Sequence, residues 1–136
     1  MKKFPIKTTS RNEFIDITQD INKYVRQSGI EEGTCTVFIP HTTAGITVNE
    51  NADPDVLTDL ESFFRQLVKE DDSLYRHTDE GPDDMPAHIK SALTQTNLSI
   101  PVQDGRLGLG TWQGIYLFEH RSRPHNRTLL LHLLGT

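Results

Sequence analysis

Three of the six histidines in this 136-residue chain lie in segments crowded with carboxylates, amides and hydroxyls. Imidazole ligates first-row metals well, and a carboxylate commonly orients it through the other ring nitrogen. The first segment runs from His41 through Thr42, Thr43, Asn49, Glu50 and Asp53 to Pro54. It follows Pro40 and joins two strand-like runs to a helix start, and a core hairpin does not need so many polar groups. Taken alone, His41 also fits a satisfied or exposed loop histidine, and Asp53 fits a helix cap.

The second segment spans Tyr75 to His88, where ten residues holding four carboxylates separate His77 from His88. On a helix, Asp84 and His88 stand four apart and share a face. His41, His77 and His88 together would leave a fourth position open on zinc, as a catalytic centre needs. A solvated acidic loop with an exposed histidine accounts for the same pattern.

The third segment, Gly105 to His120, is rich in glycine. Its glycines would let backbone approach an anion, and Arg106 would add a bidentate grip on phosphate. The P-loop lysine is missing and the glycines lead into a strand, so nucleotide and dinucleotide fingerprints both fail. A plain hairpin turn explains the glycines equally well. In the strand that follows, Gln113 and Glu119 are polar positions on an otherwise apolar face. The basic run Arg121 to Arg127 reads as an exposed turn or as a contact for an anionic substrate.

The rest of the chain bounds these ideas. The length is that of one domain, 1–136, hiding about two-thirds of its unfolded surface. A net charge of −5 argues against tracking of nucleic-acid phosphates. No apolar run is long enough to cross a bilayer, and the basic start has no apolar stretch behind it. The single cysteine, Cys35, excludes an internal disulfide and a cysteine-built zinc site. A cytoplasmic protein without membrane or nucleic-acid partners is the expectation.

Short strands are expected over 3–9 and 12–16, around a turn at Ser10-Arg11-Asn12. A helix begins at Thr18 as N-cap and closes at Gly29. Strands follow over 34–39 and 43–49. Asp53-Pro54 reads as cap plus first-turn proline of a helix with Val56, Leu57, Leu60, Phe63, Phe64, Leu67 and Val68 on one stripe. A third helix spans about 84–93, with strands near 98–102, 111–120 and 127–134. In the last strand leucines occupy both faces around His132, so both faces need cover. A partner subunit or an overlying helix would supply it.

The blocks His41 to Pro54, Asp83 to Ser91 and Gly105 to Ile115, with Glu119-His120, together resemble the YjbQ-like family, also called uncharacterised protein family 0047. The run Gly110-Thr111-Trp112-Gln113-Gly114 is its most specific part. The resemblance implies an α+β domain with a β-sandwich core of two mainly antiparallel sheets and two to three helices, assembled as a homotrimer. It implies a divalent metal, zinc or alternatively magnesium, on His41, His77 and His88. Asn49, Glu50, Asp53, Asp84, Trp112, Gln113 and Glu119 carry over as site-lining residues.

Three functions follow as expectations. One is the family's secondary thiamine-phosphate synthase activity, joining a pyrimidine methyl pyrophosphate to a thiazole phosphate. Thr42, Thr43, Asn49, Arg106, Gly110, Thr111, Trp112 and Gln113 would bind that phosphorylated, anionic substrate. The second is a zinc-dependent hydrolase or lyase with Glu50 or Asp84 as general base, Asp53 and Glu119 completing the acidic set. The third is a non-catalytic oligomeric metal- or ligand-binding module.

Overall fold

The computed structural model describes residues 1–9 and 13–136, so the turn expected at Ser10-Arg11-Asn12 lies outside the described residues. Eight strands and three α-helices follow in the order β1 (Lys2–Lys7), β2 (Phe14–Asp16), α1 (Thr18–Ser28), β3 (Glu32–Phe38), β4 (Ala44–Glu50), α2 (Pro54–Leu67), α3 (Asp84–Leu93), β5 (Asn97–Gln103), β6 (Arg106–Leu107), β7 (Gln113–Glu119) and β8 (Asn126–Gly135). They form an α+β sandwich. One antiparallel sheet has the order β1-β8-β3-β5-β6, and the other has β2-β7-β4. No helix among the described residues is long and apolar enough to cross a membrane.

Alternation builds the core. Cys35 and Val37 on β3, Leu129 and Leu131 on β8, and Ile100 and Val102 on β5 face inward. Ile46, Ile115 and Leu117 meet them from the smaller sheet, and α1 adds Ile21 and Val25. Burial raises the Cys35 thiol to about 11, so it serves as an inert filler.

Local chemistry explains most element boundaries. Asp53 caps α2, its carboxylate accepting from the Asp55 N–H at 2.9 Å, with Pro54 at the first helical position. α1 differs from expectation, because Thr18 is its first residue rather than its cap. The Thr18 hydroxyl accepts from the Ile115 N–H at 2.8 Å, which ties the helix to β7. Asp16 instead receives the Thr18 N–H.

Two apolar surfaces stay largely uncovered among the described residues, although Phe64 of α2 meets the Phe118 ring. α2 has no buried residue, and Phe63 is 58% exposed. The leucine run on β8 buries Leu129 and Leu131, but its other face leaves Leu130 half-buried, His132 exposed and Leu134 72% exposed. His132 is therefore not a core residue of the chain, and among the described residues that face stays open. Phe38, opposite Leu130 on β3, extends the surface.

This division predicts unequal costs of truncation. Leu131→Ala removes a fully buried side chain and should cost about 2–5 kcal/mol in urea unfolding. At sub-micromolar concentration, Leu134→Ala should cost far less, because surface changes stay within about 0.5 kcal/mol.

Candidate metal centre

α3 opens on two consecutive aspartates whose side chains point inward. Asp84 is 1% exposed. Its Oδ2 lies 2.7 Å from His77 Nε2, brought in by the preceding loop, and 3.4 Å from His88 Nε2, one helical turn later. All three ligand atoms fall within 4.8 Å of one another. Around zinc, ligand atoms bound at 2.0–2.1 Å stand about 3.4 Å apart in a tetrahedron, so this group has the compactness one small cation requires. The donor set of two imidazoles and a carboxylate also fits, since it matches catalytic centres that keep further positions open. His77 and His88 are partly exposed, which gives the group an entry from solvent.

Asp83 and Asp84 share a cation. Arg121, just beyond β7, donates from Nε to Asp83 Oδ2 at 2.9 Å, from Nη1 to Asp84 Oδ1 at 2.8 Å and from Nη2 to the Glu80 carbonyl at 3.0 Å. The Ser122 N–H and hydroxyl also donate to Asp83. Burial pushes both carboxyls upward, but the Arg121 and Ser122 bonds hold Asp83, and the His77 bond followed by the Arg121 charge holds Asp84, below the usual carboxylate range. Burial opposes the Arg121 charge as well, and the Asp83 bond more than offsets this.

His41 stands outside this cluster. Its Nε2 accepts from the Thr128 N–H at 2.9 Å, so the neutral ring carries its proton on Nδ1. Burial and then the Arg127 charge lower its pKa, which keeps it neutral. The expected trio of His41, His77 and His88 is thus not gathered within one chain, and Asp84 joins the two gathered histidines. The lone pair that a metal would need on His41 Nε2 is engaged by backbone.

Glu119 answers the question posed by its polarity on an apolar face. It is fully buried in a two-bond pair with Arg127, whose Nε and Nη2 donate at 2.6 and 2.7 Å. Arg127 Nη2 also donates to the Thr43 carbonyl and hydroxyl. Both arginines at the ends of the basic turn are therefore spent on carboxylates, rather than held in solvent or presented to an anion. Thr42 is exposed beside this pair.

The remaining motif residues collect elsewhere. β4 and β7 pair from Ala44–Glu119 at one end to Glu50–Gln113 at the other, about 20 Å apart. The histidine cluster and Thr43 adjoin the first end. At the second, the Gly110 N–H donates to Gln113 Oε1 at 2.7 Å, and Asn49 Oδ1 accepts from the Glu50 N–H. Trp112 is 64% exposed there, Thr111 is exposed, and Asp53 is the α2 cap. Asn49 also lines a cleft of about 380 Å³ with Phe14, Phe64, Phe118, Thr94 and Gln95. Arg106 lies apart on β6, beyond a tight turn in which Asp104 and Gly105 take positive φ of 53° and 74°. That is the preference of a two-residue hairpin turn, which accounts for Gly105.

Sequence reasoning missed Arg121, Asp83 and Glu80. Glu80 Oε2 lies 3.9 Å from His77 Nε2 and is largely exposed. The signal available for Arg121 was only its place beside a strand end, and nothing local names its partners 37 and 38 residues away.

The fold and this cluster define a class, a two-sheet α+β sandwich carrying a histidine–carboxylate group at a helix start. The chain belongs to the YjbQ-like family, since the family model "UPF0047 protein YjbQ-like" matches residues 2–136. It is 60% identical over 115 residues to UPF0047 protein sll1880 of Synechocystis sp., covering 85% of this chain and 78% of that one. UPF0047 protein YugU of Bacillus subtilis is 43% identical over 135 residues, covering 99% of each. A crystal structure of an uncharacterised conserved yjbq/upf0047 family protein from Clostridium acetobutylicum superposes with a TM-score of 0.89 at 39% identity, covering 98% of this chain and 100% of that one.

Behind the site, His120 is buried with its Nδ1 lacking a protein partner and its Nε2 3.3 Å from Thr94 Oγ1. Burial first, then the Lys90 and Arg127 charges, push its pKa down to about 3. An unfolded histidine takes up its proton near pH 6.5, so between about pH 6.5 and 3 the unfolded chain binds more protons. Stability should therefore drop as the pH is lowered through that window, by up to about 1.4 kcal/mol per unit from this residue. Urea midpoints measured from pH 7 to 4.5 should show the slope, and His120→Gln should flatten it.

Proposed function

We propose that this protein is a metal-dependent enzyme acting on a small anionic substrate, with His77, Asp84 and His88 holding a divalent ion. The observation that carries this reading is the convergence of two imidazole nitrogens on one buried carboxylate oxygen at an exposed edge. Zinc suits the donors, whereas magnesium prefers an all-oxygen shell. Bound there, the ion supplies a Lewis acid that polarises a carbonyl or phosphoryl oxygen and acidifies water. With Oδ2 as the ligand oxygen and Oδ1 held by Arg121, Asp84 has no oxygen left to accept a proton. Glu80, exposed 3.9 Å from His77 Nε2, is the carboxylate best placed to take one. The reaction class is hydrolysis or elimination.

A second reading is the thiamine-phosphate synthase activity that the family resemblance implies. Trp112 and Gln113 favour it, because an exposed aromatic wall beside a polar turn suits a cationic pyrimidine. Within one chain that group lies about 20 Å along the sheet from the histidine cluster. Assembly as a homotrimer would bury the α2 stripe and the outer leucines of β8, and it would set one chain's polar end beside a neighbour. A cytoplasmic place of work accords with a lone buried cysteine.

Elemental analysis of the purified protein after zinc loading should give one ion per chain, and none in the His77→Ala, His88→Ala double variant. A screen of small phosphorylated and acyl substrates should find turnover that chelation abolishes and Glu80→Gln lowers about 10²–10⁴-fold. A chain that binds no ion when offered zinc, or turns over equally well after chelation, overturns the metal reading. Coupling of the pyrimidine and thiazole phosphates, lost in Trp112→Ala but indifferent to the histidines, would favour the second reading. Separately, Phe63→Glu should shift the protein from trimer to monomer in sedimentation.

A further inference from the structure

Arg121 lies outside the ligand set, yet it touches every segment that delivers a ligand. Its planar guanidinium divides three donors among Asp83, Asp84 and the Glu80 carbonyl, each within 3.0 Å. Asp84 heads the helix that carries His88, and Glu80 sits in the loop that carries His77. By occupying Asp84 Oδ1, Arg121 leaves Oδ2 as the oxygen turned toward both imidazoles. By holding the Glu80 carbonyl, it fixes the backbone three residues beyond His77. Asp83 is the anchor, because its Oδ2 takes Arg121 Nε together with both donors of Ser122, the next residue in the chain.

We propose that Arg121 is the positioning residue of the metal centre, a three-way clamp that presets Asp84 Oδ2 and the His77 loop for a single divalent ion. The inference rests on the metal-centre reading and adds the residue that organises it. A ligand pair drawn from a helix and a loop has two bodies to align, and alignment made before the ion arrives removes the ordering cost from binding. Lysine is no substitute here. Its ammonium is a point charge without the rigid fork that reaches three acceptors at once.

The test is zinc affinity of the full chain by competition with a chromophoric chelator, with cobalt(II) absorption as a report on coordination geometry. Arg121→Lys keeps the charge and protects folding, while Arg121→Gln removes both charge and fork. Both should bind zinc 10–100-fold more weakly than wild type, the usual effect of removing an outer partner of a ligand. Their cobalt spectra should lose the wild-type band pattern. Arg123→Lys, at an exposed arginine of the same turn, should match wild type in both measurements. A merely structural Arg121 would lower the urea midpoint but leave the affinity and spectrum of the folded protein unchanged, and that result overturns the proposal. His88→Ala separates the two layers. If it loses zinc while Arg121→Lys binds like wild type, only the clamp fails. If wild type binds no zinc, or His88→Ala binds as wild type does, the metal centre itself fails and the clamp with it.

Discussion

Two neighbouring carboxylates taken out of water must share a cation, and this constraint shapes one whole end of the molecule. Removing an ion from water costs several kcal/mol even after the protein relaxes, and adjacent like charges add to that. Asp83 and Asp84 tolerate burial because Arg121 reaches across from the end of β7. Six residues later Arg127 does the same for Glu119. The β7–β8 connection thus carries a cation at each end, one serving the helix side and one serving the sheet. α3, the His77 loop and the small sheet keep their relation through these contacts more than through apolar packing, since α3 buries Asp84, Lys90 and Ser91 alongside Pro86 and Ala87.

How much of this was legible in the sequence depended on how far apart the partners were. The Asp53-Pro54 start of α2 and the common face of Asp84 and His88 were legible, because both follow from spacings within one helical turn. Seven strands match their expected places with small shifts at the ends, because alternation is local too, whereas the two-residue β6 carried no such pattern. The pairing of the basic turn was not legible. Arg121 and Asp83 meet only after β5, β6 and β7 have been laid down between them. His41 shows the same limit at the scale of one atom. Its residue type suggested a ligand, but the Thr128 N–H 87 positions later takes the lone pair. The glycines left two readings open, since a hairpin and an anion cradle ask for the same residue.

Close approach explains why α3 holds its place. Gly45 has no room for a side chain, because a Cβ there would lie 2.0 Å from Thr94 Oγ1. The Ser91 hydroxyl bonds the Ala44 carbonyl, and the Ile46 N–H bonds the Gln95 carbonyl. The C-terminal end of α3 is therefore clamped to β4, while its N-terminal end presents the ligand cluster toward solvent. The two ends of the β4–β7 ladder belong to different neighbourhoods, the Glu119 end buried and the Gln113 end open to solvent.

The strand order carries a consequence for how the molecule comes into being. β8 lies between β1 and β3, so the strand that follows all the others among the described residues is an inner strand of the larger sheet. During synthesis β1 waits without a neighbour, and β3 has only β5 beside it, until β8 has left the ribosome. Contacts between such distant segments close slowly, and open strand edges invite pairing with other chains meanwhile. The inward Leu129 and Leu131 arrive with that strand, so the part of the core they fill and the joining of β1 to β3 wait for β8 to pair.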